Sequence, residues 1–121
     1  MMAAGSGSTG PRRIAIGSLT IEIEPAHERC FVRLEGELDM QSSPSLREEL
    51  NALIDGEMPV VVDLRGLSFI DSSGIRCLTL AASRARDAGD GRMQVIRPPQ
   101  GQVSQALTLT NVGRYLPLID G

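Results

Sequence analysis

The 121-residue chain reads as one α/β domain: a mixed four- to five-stranded sheet with helices packed on it, in the order β-β-α-β-α-β-α-β. Three observations carry that reading. Two adjacent period-two segments lie near the amino end. An apolar run, Val60-Val61-Val62 with Leu64, and a further buried strand, MQVIRP, follow in the second half. The stretches after these segments repeat their apolar residues at helical spacing.

Residues 1–13, MMAAGSGSTGPRR, are rich in Gly, Ser and Ala and are expected to form a flexible tail, with residues 14–121 as the single domain. From Leu19 the chain alternates: Leu19, Ile21 and Ile23 on one side, Thr20, Glu22 and Glu24 on the other. Pro25 is expected to end this strand and PAHER to form a turn. Cys30, Val32 and Leu34 then alternate with Phe31, Arg33 and Glu35, and the short link predicts an antiparallel hairpin. Ser43 is suited to cap a helix with Pro44 at its first position. Leu46, Leu50, Leu53 and Ile54 line that helix, and Gly56 stops it. The run Val60-Val61-Val62 with Leu64 is apolar on both faces, which predicts a central strand covered by helices on both sides. After Asp71 a long helix carries Ile75, Leu78, Ala82 and Ala85 in one stripe, closed by Gly89 and Gly91. MQVIRP is a further strand and GQVSQALTLTNVG a short helix with Val103, Leu107 and Ala106 inward. YLPLI is a brief terminal strand. Alternation in the second half implies right-handed parallel crossovers.

Composition narrows the function. A net charge of −3 gives no electrostatic footprint for nucleic acid, and 2% aromatic residues with no Trp give no base-stacking platform. Cys30 and Cys77 match no metal spacing and read as reduced, partly buried small hydrophobes. His27, the one histidine, lies in a polar stretch and has no converging groups for catalysis or metal binding. No apolar run reaches transmembrane length, and the first residues lack the apolar stretch of a secretory signal, so a cytoplasmic location is expected. Glu35, Glu37 and Asp39 alternate and are expected to share a face, as a solvated edge in place of acid–base machinery.

The informative segment is VVVDLRGLSFIDSSGIR. It passes from a strand through a short turn into a helix, the place where α/β sheets gather their contact sites. Taken alone, DSSG is a commonplace helix cap, with Asp71 or Ser72 satisfying a free N–H. It lacks the glycines and lysine of a P-loop and the G-x-S-x-G of a hydrolase elbow. What the position does suit is a modifiable hydroxyl: a serine at a helix start is exposed, and the helix dipole tolerates added negative charge there.

The segment Gly36-Glu37-Leu38-Asp39, the strand with Leu67-Ser68-Phe69-Ile70 leading into Asp71-Ser72-Ser73-Gly74, and the tail LTLTNVGRYLPLID together resemble the STAS domain. Within that family they are most similar to the bacterial anti-sigma factor antagonists. DSSG alone is weakly specific; DSSG after L-x-F-I with GELD upstream is strongly so. The resemblance spans roughly residues 19–120. It implies that Ser72 is phosphorylated, with Asp39 close to it. It further implies that the kinase is an anti-sigma factor that itself carries ATP and Mg²⁺, that the unphosphorylated form binds this factor and frees the sigma factor, and that a PP2C-type phosphatase resets the switch. The chain itself would need no cofactor, act on no nucleic acid or membrane directly, and not be an enzyme. The expected partner surface comprises Asp39, Asp71, Ser72, Ser73, Gly74, Ile75, Arg76 and Thr79, although a core position explains Ile75 equally well. A second reading makes the chain a non-enzymatic STAS subunit of a transporter or of a sensory, stressosome-like complex.

Overall fold

The computed structural model describes residues 10–121; the expected tail falls largely on residues 1–9, outside the described residues. The elements run β1 (Arg12–Ile16), β2 (Leu19–Ala26), β3 (Arg29–Leu38), α1 (Ser43–Asp55), β4 (Val60–Ile70), α2 (Ser72–Ala88), β5 (Met93–Ile96), α3 (Gln102–Leu109), a 3-10 turn (Val112–Arg114) and β6 (Leu118–Ile119). The sheet has six strands in the order β1-β2-β3-β4-β5-β6, not four or five. The added strand is β1, which starts inside the stretch expected to be tail. It pairs antiparallel with β2, Arg12 opposite Ile23 and Ile16 opposite Leu19, and it lays Ile14 and Ile16 against the core.

The β2–β3 hairpin forms as expected, but Pro25 does not end β2. It pairs with Cys30, past the last residue that pairs with β1 and near the free end of the strand, where proline is tolerated. The turn is only His27-Glu28, both at positive φ of 56° and 64°, the signature of a two-residue type I′ connection.

From β3 onward every neighbouring pair is parallel. The strands advance across the sheet in one direction, so right-handed crossovers put α1, α2 and α3 on the same face. Burial agrees. Leu46, Leu50 and Ile54 of α1, Leu78, Ala82 and Ala85 of α2, and Val103 and Leu107 of α3 form one core with Ile21, Val32, Val62 and Val95. The expectation of helices on both faces of β4 is therefore corrected. Val61 and Asp63 lie outside this core and are still only 2% and 6% exposed; Val61 is flanked across the sheet by Phe31 and Gln94, and Asp63 by Arg33 and Ile96. Arg33 pairs with Glu24 at 2.7 Å and lies 5.7 Å from the centroid of the Phe31 ring. Arg65 reaches both oxygens of Asp63, Nε to Oδ1 at 3.0 Å and Nη2 to Oδ2 at 2.9 Å. Burial pushes the Asp63 carboxyl up, but the Arg65 hydrogen bonds and charge outweigh it and hold the pKa below its ordinary value. An apolar run in sequence reported the burial of β4 without reporting what provides it.

The site is positioned by one register. β3 and β4 run parallel with Leu38 beside Ile70, so both strands reach the same edge together. Each then turns directly into a helix.

Candidate functional site

Two strand-to-helix junctions stand side by side at this edge. The backbone N–H of Asp71 donates to the Leu38 carbonyl at 3.2 Å, and the Met40 N–H donates to Asp71 Oδ2 at 3.2 Å. The turn that carries Asp39 is thereby tied to the start of α2.

Asp71 caps α2. Its other carboxylate oxygen, Oδ1, accepts from Gly74 N–H at 3.1 Å, which satisfies one of the free amides of the first turn. Both oxygens of Asp71 thus serve backbone amides, one in each junction. Gly74 is buried, and a Cβ there would lie 2.8 Å from Ile70 Cγ1, 2.8 Å from Leu38 Cγ and 2.9 Å from the Leu38 carbonyl oxygen. The glycine lets the helix start press against the end of β3. Ser72, the first residue of α2, is exposed. Ser73 is half-buried. None of the bonds that build the two turns uses the Ser72 hydroxyl.

Asp39 builds the other junction. Its Oδ1 accepts from Gln41 N–H at 3.0 Å, Ser42 N–H at 3.1 Å and Ser42 Oγ at 3.0 Å. Its carbonyl accepts from Ser43 N–H at 2.8 Å and from Ser43 Oγ at 2.6 Å. Ser42, not Ser43, occupies the cap position of α1, with Ser43 as the first helical residue and Pro44 the second. The Ser42 side chain makes no cap bond to the helix, because the Asp39 network already holds it. Asp39 also departs from the expected row with Glu35 and Glu37: β3 ends at Leu38, and its ladder with β4 shifts register between Gly36 and Glu37. Gly36 has φ +100°, and a Cβ there would fall 1.9 Å from the Ser18 carbonyl oxygen, the same oxygen that accepts from Glu37 N–H at 3.0 Å. The glycine of GELD is a close-approach residue.

The expected partner surface divides on burial. Ser72 and Arg76 are exposed, and Asp39, Asp71, Ser73 and Thr79 are half-buried. The Thr79 hydroxyl donates to the Arg76 carbonyl at 3.1 Å, a local helix bond. Ile75 is 9% exposed and belongs to the core, so the core explanation holds and it leaves the surface. Gly74 acts by its size, not by contact with solvent.

Sequence reasoning missed three neighbours. Met40, in the Asp39 turn, is 75% exposed, and Leu80, two turns into α2, is 47% exposed. Arg47 of α1 lines a groove of about 490 Å³ with Ser43, Ser73, Arg76, Cys77 and Leu80. The sequence offered no signal for them, because exposure of Met40 and Leu80 follows only from the packing of the turn and of α2. Burial pushes the Cys77 thiol up to about 11, against a smaller opposing effect of Arg47. Its Sγ lies 3.7 Å from the Ser43 carbonyl. Among the described residues, no helix is long and apolar enough to cross a membrane.

The fold agrees with known proteins. The family model described as Mlab, STAS domain matches residues 21–120. The chain belongs to the STAS domain family, and within it to the bacterial anti-sigma factor antagonists. An anti-sigma F factor antagonist of Paenibacillus polymyxa is 30% identical over 108 residues, covering 84% of this chain and 89% of that one. Among solved structures, an anti-sigma factor antagonist from Mycobacterium paratuberculosis superposes with a TM-score of 0.73 at 24% identity, over 86% of this chain and 87% of that one. The anti-sigma factor antagonist SpoIIAA in its unphosphorylated form superposes with a TM-score of 0.66 at 25% identity, over 84% and 87%.

Proposed function

We propose that this protein is an anti-sigma factor antagonist switched at Ser72. In its unphosphorylated form it binds a cognate anti-sigma factor that is also a serine kinase, and so releases the sigma factor. Phosphorylation of Ser72 by that kinase abolishes binding, and a PP2C-type phosphatase restores it. The catalytic machinery, with its ATP and Mg²⁺, belongs to the kinase.

One observation carries the reading: Ser72 is exposed at the first position of α2 while the Asp71 carboxylate does the capping. A hydroxyl that does no structural work can be modified without unfolding its helix. A phosphate there adds about −1.5 to −2 charges at neutral pH, beside the Asp71 and Asp39 carboxylates. A partner surface shaped to a small neutral hydroxyl then meets bulk and like charge. A loss of about 3 kcal/mol weakens binding roughly a hundredfold. The relatives named as anti-sigma factor antagonists support the choice of partner.

The test has two arms. Incubation with the cognate anti-sigma factor and ATP, followed by mass spectrometry, should place one phosphate on Ser72; phosphate elsewhere, or none, would sink the assignment. Ser72→Ala should bind that factor like the wild type, and Ser72→Asp roughly a hundredfold more weakly.

The family model that matches is described as Mlab, STAS domain, and not as an antagonist, which leaves room for a second reading, a non-enzymatic STAS subunit of a transporter or sensory complex. Such a subunit has no need of a free acceptor serine, which weighs for the first reading. Co-purification with a membrane complex, unaffected by Ser72→Asp, would reverse the choice.

A further inference from the structure

Ser72 and Arg76 are four residues apart in α2 and both exposed. Positions i and i+4 lie on the same helix face, one turn apart. Helical side chains also lean toward the amino end, so a long side chain at i+4 covers the turn that holds residue i. Arg76 is thus placed where its side chain can reach back over the turn that holds Ser72.

Arg76 is also uncommitted. The ion pairs of the described residues join Arg12 to Glu49, Arg13 to Glu22, Arg33 to Glu24, Arg65 to Asp63, Arg84 to Asp55 and Arg97 to Asp120. Residues 1–9 contain no Asp or Glu, so they hold no acid for it either. The two carboxylates of the junctions are already occupied: Asp71 by Gly74 and Met40 amides, Asp39 by Gln41 and Ser42. Glu48 of α1 lines the same groove as Arg76, but no ion pair joins the two, so Arg76 stands one turn from Ser72 with no carboxylate partner among the described residues.

We propose that Arg76 is the internal ligand of the phosphorylated site. Its planar guanidinium donates to two oxygens of the phosphoryl group on Ser72, the fork geometry that arginine makes with phosphate. The inference rests on Ser72 as the acceptor and adds how the modified state is held. The clamp has two consequences. It stabilises the dianion against the neighbouring Asp71 and Asp39 charges. It also turns Arg76 inward, so that phosphorylation removes a cation from the partner surface at the same moment that it adds an anion.

The test installs phosphoserine at position 72 by genetic-code expansion, so that no kinase is needed and failure of the acceptor assignment stays separate. The ³¹P resonance of the full chain is then titrated for the wild-type background, for Arg76→Gln and for Arg76→Lys. The helix dipole and both carboxylates are common to all three. With the clamp, the second ionisation of the phosphate moves to higher pH by about half a unit in Arg76→Gln, while Arg76→Lys recovers only part of the shift because lysine lacks the fork. The Nε–H resonance of Arg76 should move on phosphorylation and return when phosphate is removed by a phosphatase. Superimposable titrations in the arginine and glutamine proteins, with an unmoved Arg76 resonance, would overturn the proposal. Equal titration of the lysine and arginine proteins would overturn the two-oxygen geometry.

Discussion

The two junctions at the carboxyl edge begin with similar letters, Leu38-Asp39 followed by Ser42-Ser43, and Ile70-Asp71 followed by Ser72-Ser73, but they treat their serines oppositely. After β3, the aspartate turns back on its own loop. Ser42 is 0% exposed and Ser43 7%, and both hydroxyls are bonded within the turn. After β4, the aspartate reaches forward to Gly74 and sideways to Met40, and Ser72 is left exposed. Spacing makes the difference. Two extra residues, Met40 and Gln41, separate the first aspartate from its serines, so the chain can curl until the hydroxyls are enclosed. With no spacer, Asp71 is itself the cap and Ser72 has already entered the helix. Solvent reaches Ser72 and is kept from Ser42 and Ser43.

The largest test of that contrast removes the close approach that joins the two junctions. Gly74→Ala sets a methyl group within 3 Å of Leu38 and Ile70, and neither backbone nor packed side chain can yield there cheaply. We expect a loss of about 3 kcal/mol, read as a lower urea midpoint with an unchanged slope. Next come the two aspartates. Asp39→Ala frees three donors, two of them on the buried Ser42, and should cost about 2 kcal/mol. Asp71→Ala frees two amides nearer solvent and should cost about 1 kcal/mol. If the two losses were equal, the first turn would not be the enclosed one.

The sequence made the broad frame legible and the local contrast only partly so. Period-two alternation identified β2 and β3, and helical spacing identified α1, α2 and α3, because burial on one face imposes those periods. β1 escaped because a five-residue edge strand shows only Ile14 and Ile16 against the arginines and glycines around it. Coverage of β4 was misjudged because a buried run records exclusion of water and not what excludes it; neighbouring strands flank Val61 and Asp63 on the face that carries no helix. The cap at Asp71 or Ser72 was legible from the residue types at a helix start, but only the hydrogen bond from Gly74 to Asp71 Oδ1 assigns it to Asp71 and leaves Ser72 free. The Asp39 turn was not, because its hydrogen bonds skip two to four residues and link to another strand's end. Ile75 fits the apolar stripe of α2 and a surface row equally in sequence; only the packing of Leu78 and Ala82 beside it decides for the core.

Cys77 extends the enclosed side of the comparison into the groove, and pH exposes it. Its native pKa stands near 11 against an ordinary 9.0. Cys30 is also raised, by burial, with Arg12 opposing. A native thiol that ionises later than the unfolded one holds its proton more tightly when folded. Its stabilisation is whole below pH 9 and is lost as the pH rises through 11. We expect stability to fall by on the order of 1 kcal/mol across that window, after allowance for solvent at the groove. Cys77→Ala should flatten the slope there while leaving the slope from Cys30, and an unchanged slope would place the Cys77 thiol in water.

The smallest effect separates the serines themselves. Ser42→Ala removes a buried hydroxyl that donates toward Glu37 and Asp39 and accepts from the Asp39 amide at 3.0 Å. The Asp39 amide and the Glu37 carbonyl are left short of a partner, which should cost about 1 kcal/mol. Ser72→Ala removes a hydroxyl that neither turn uses and exchanges serine for a better helix former, so stability should stay within about 0.5 kcal/mol of the wild type. For phosphorylation the proposed switch predicts the reverse order: Ser72→Ala should abolish uptake of phosphate and Ser42→Ala should leave it intact once the protein is folded. Chemical denaturation and kinase assays on the same two variants measure both orders. A Ser72→Ala loss as large as that of Ser42→Ala would mean that the second junction also depends on its hydroxyl. The acceptor would then carry structural load, and adding a phosphate would disturb the fold as well as the interface.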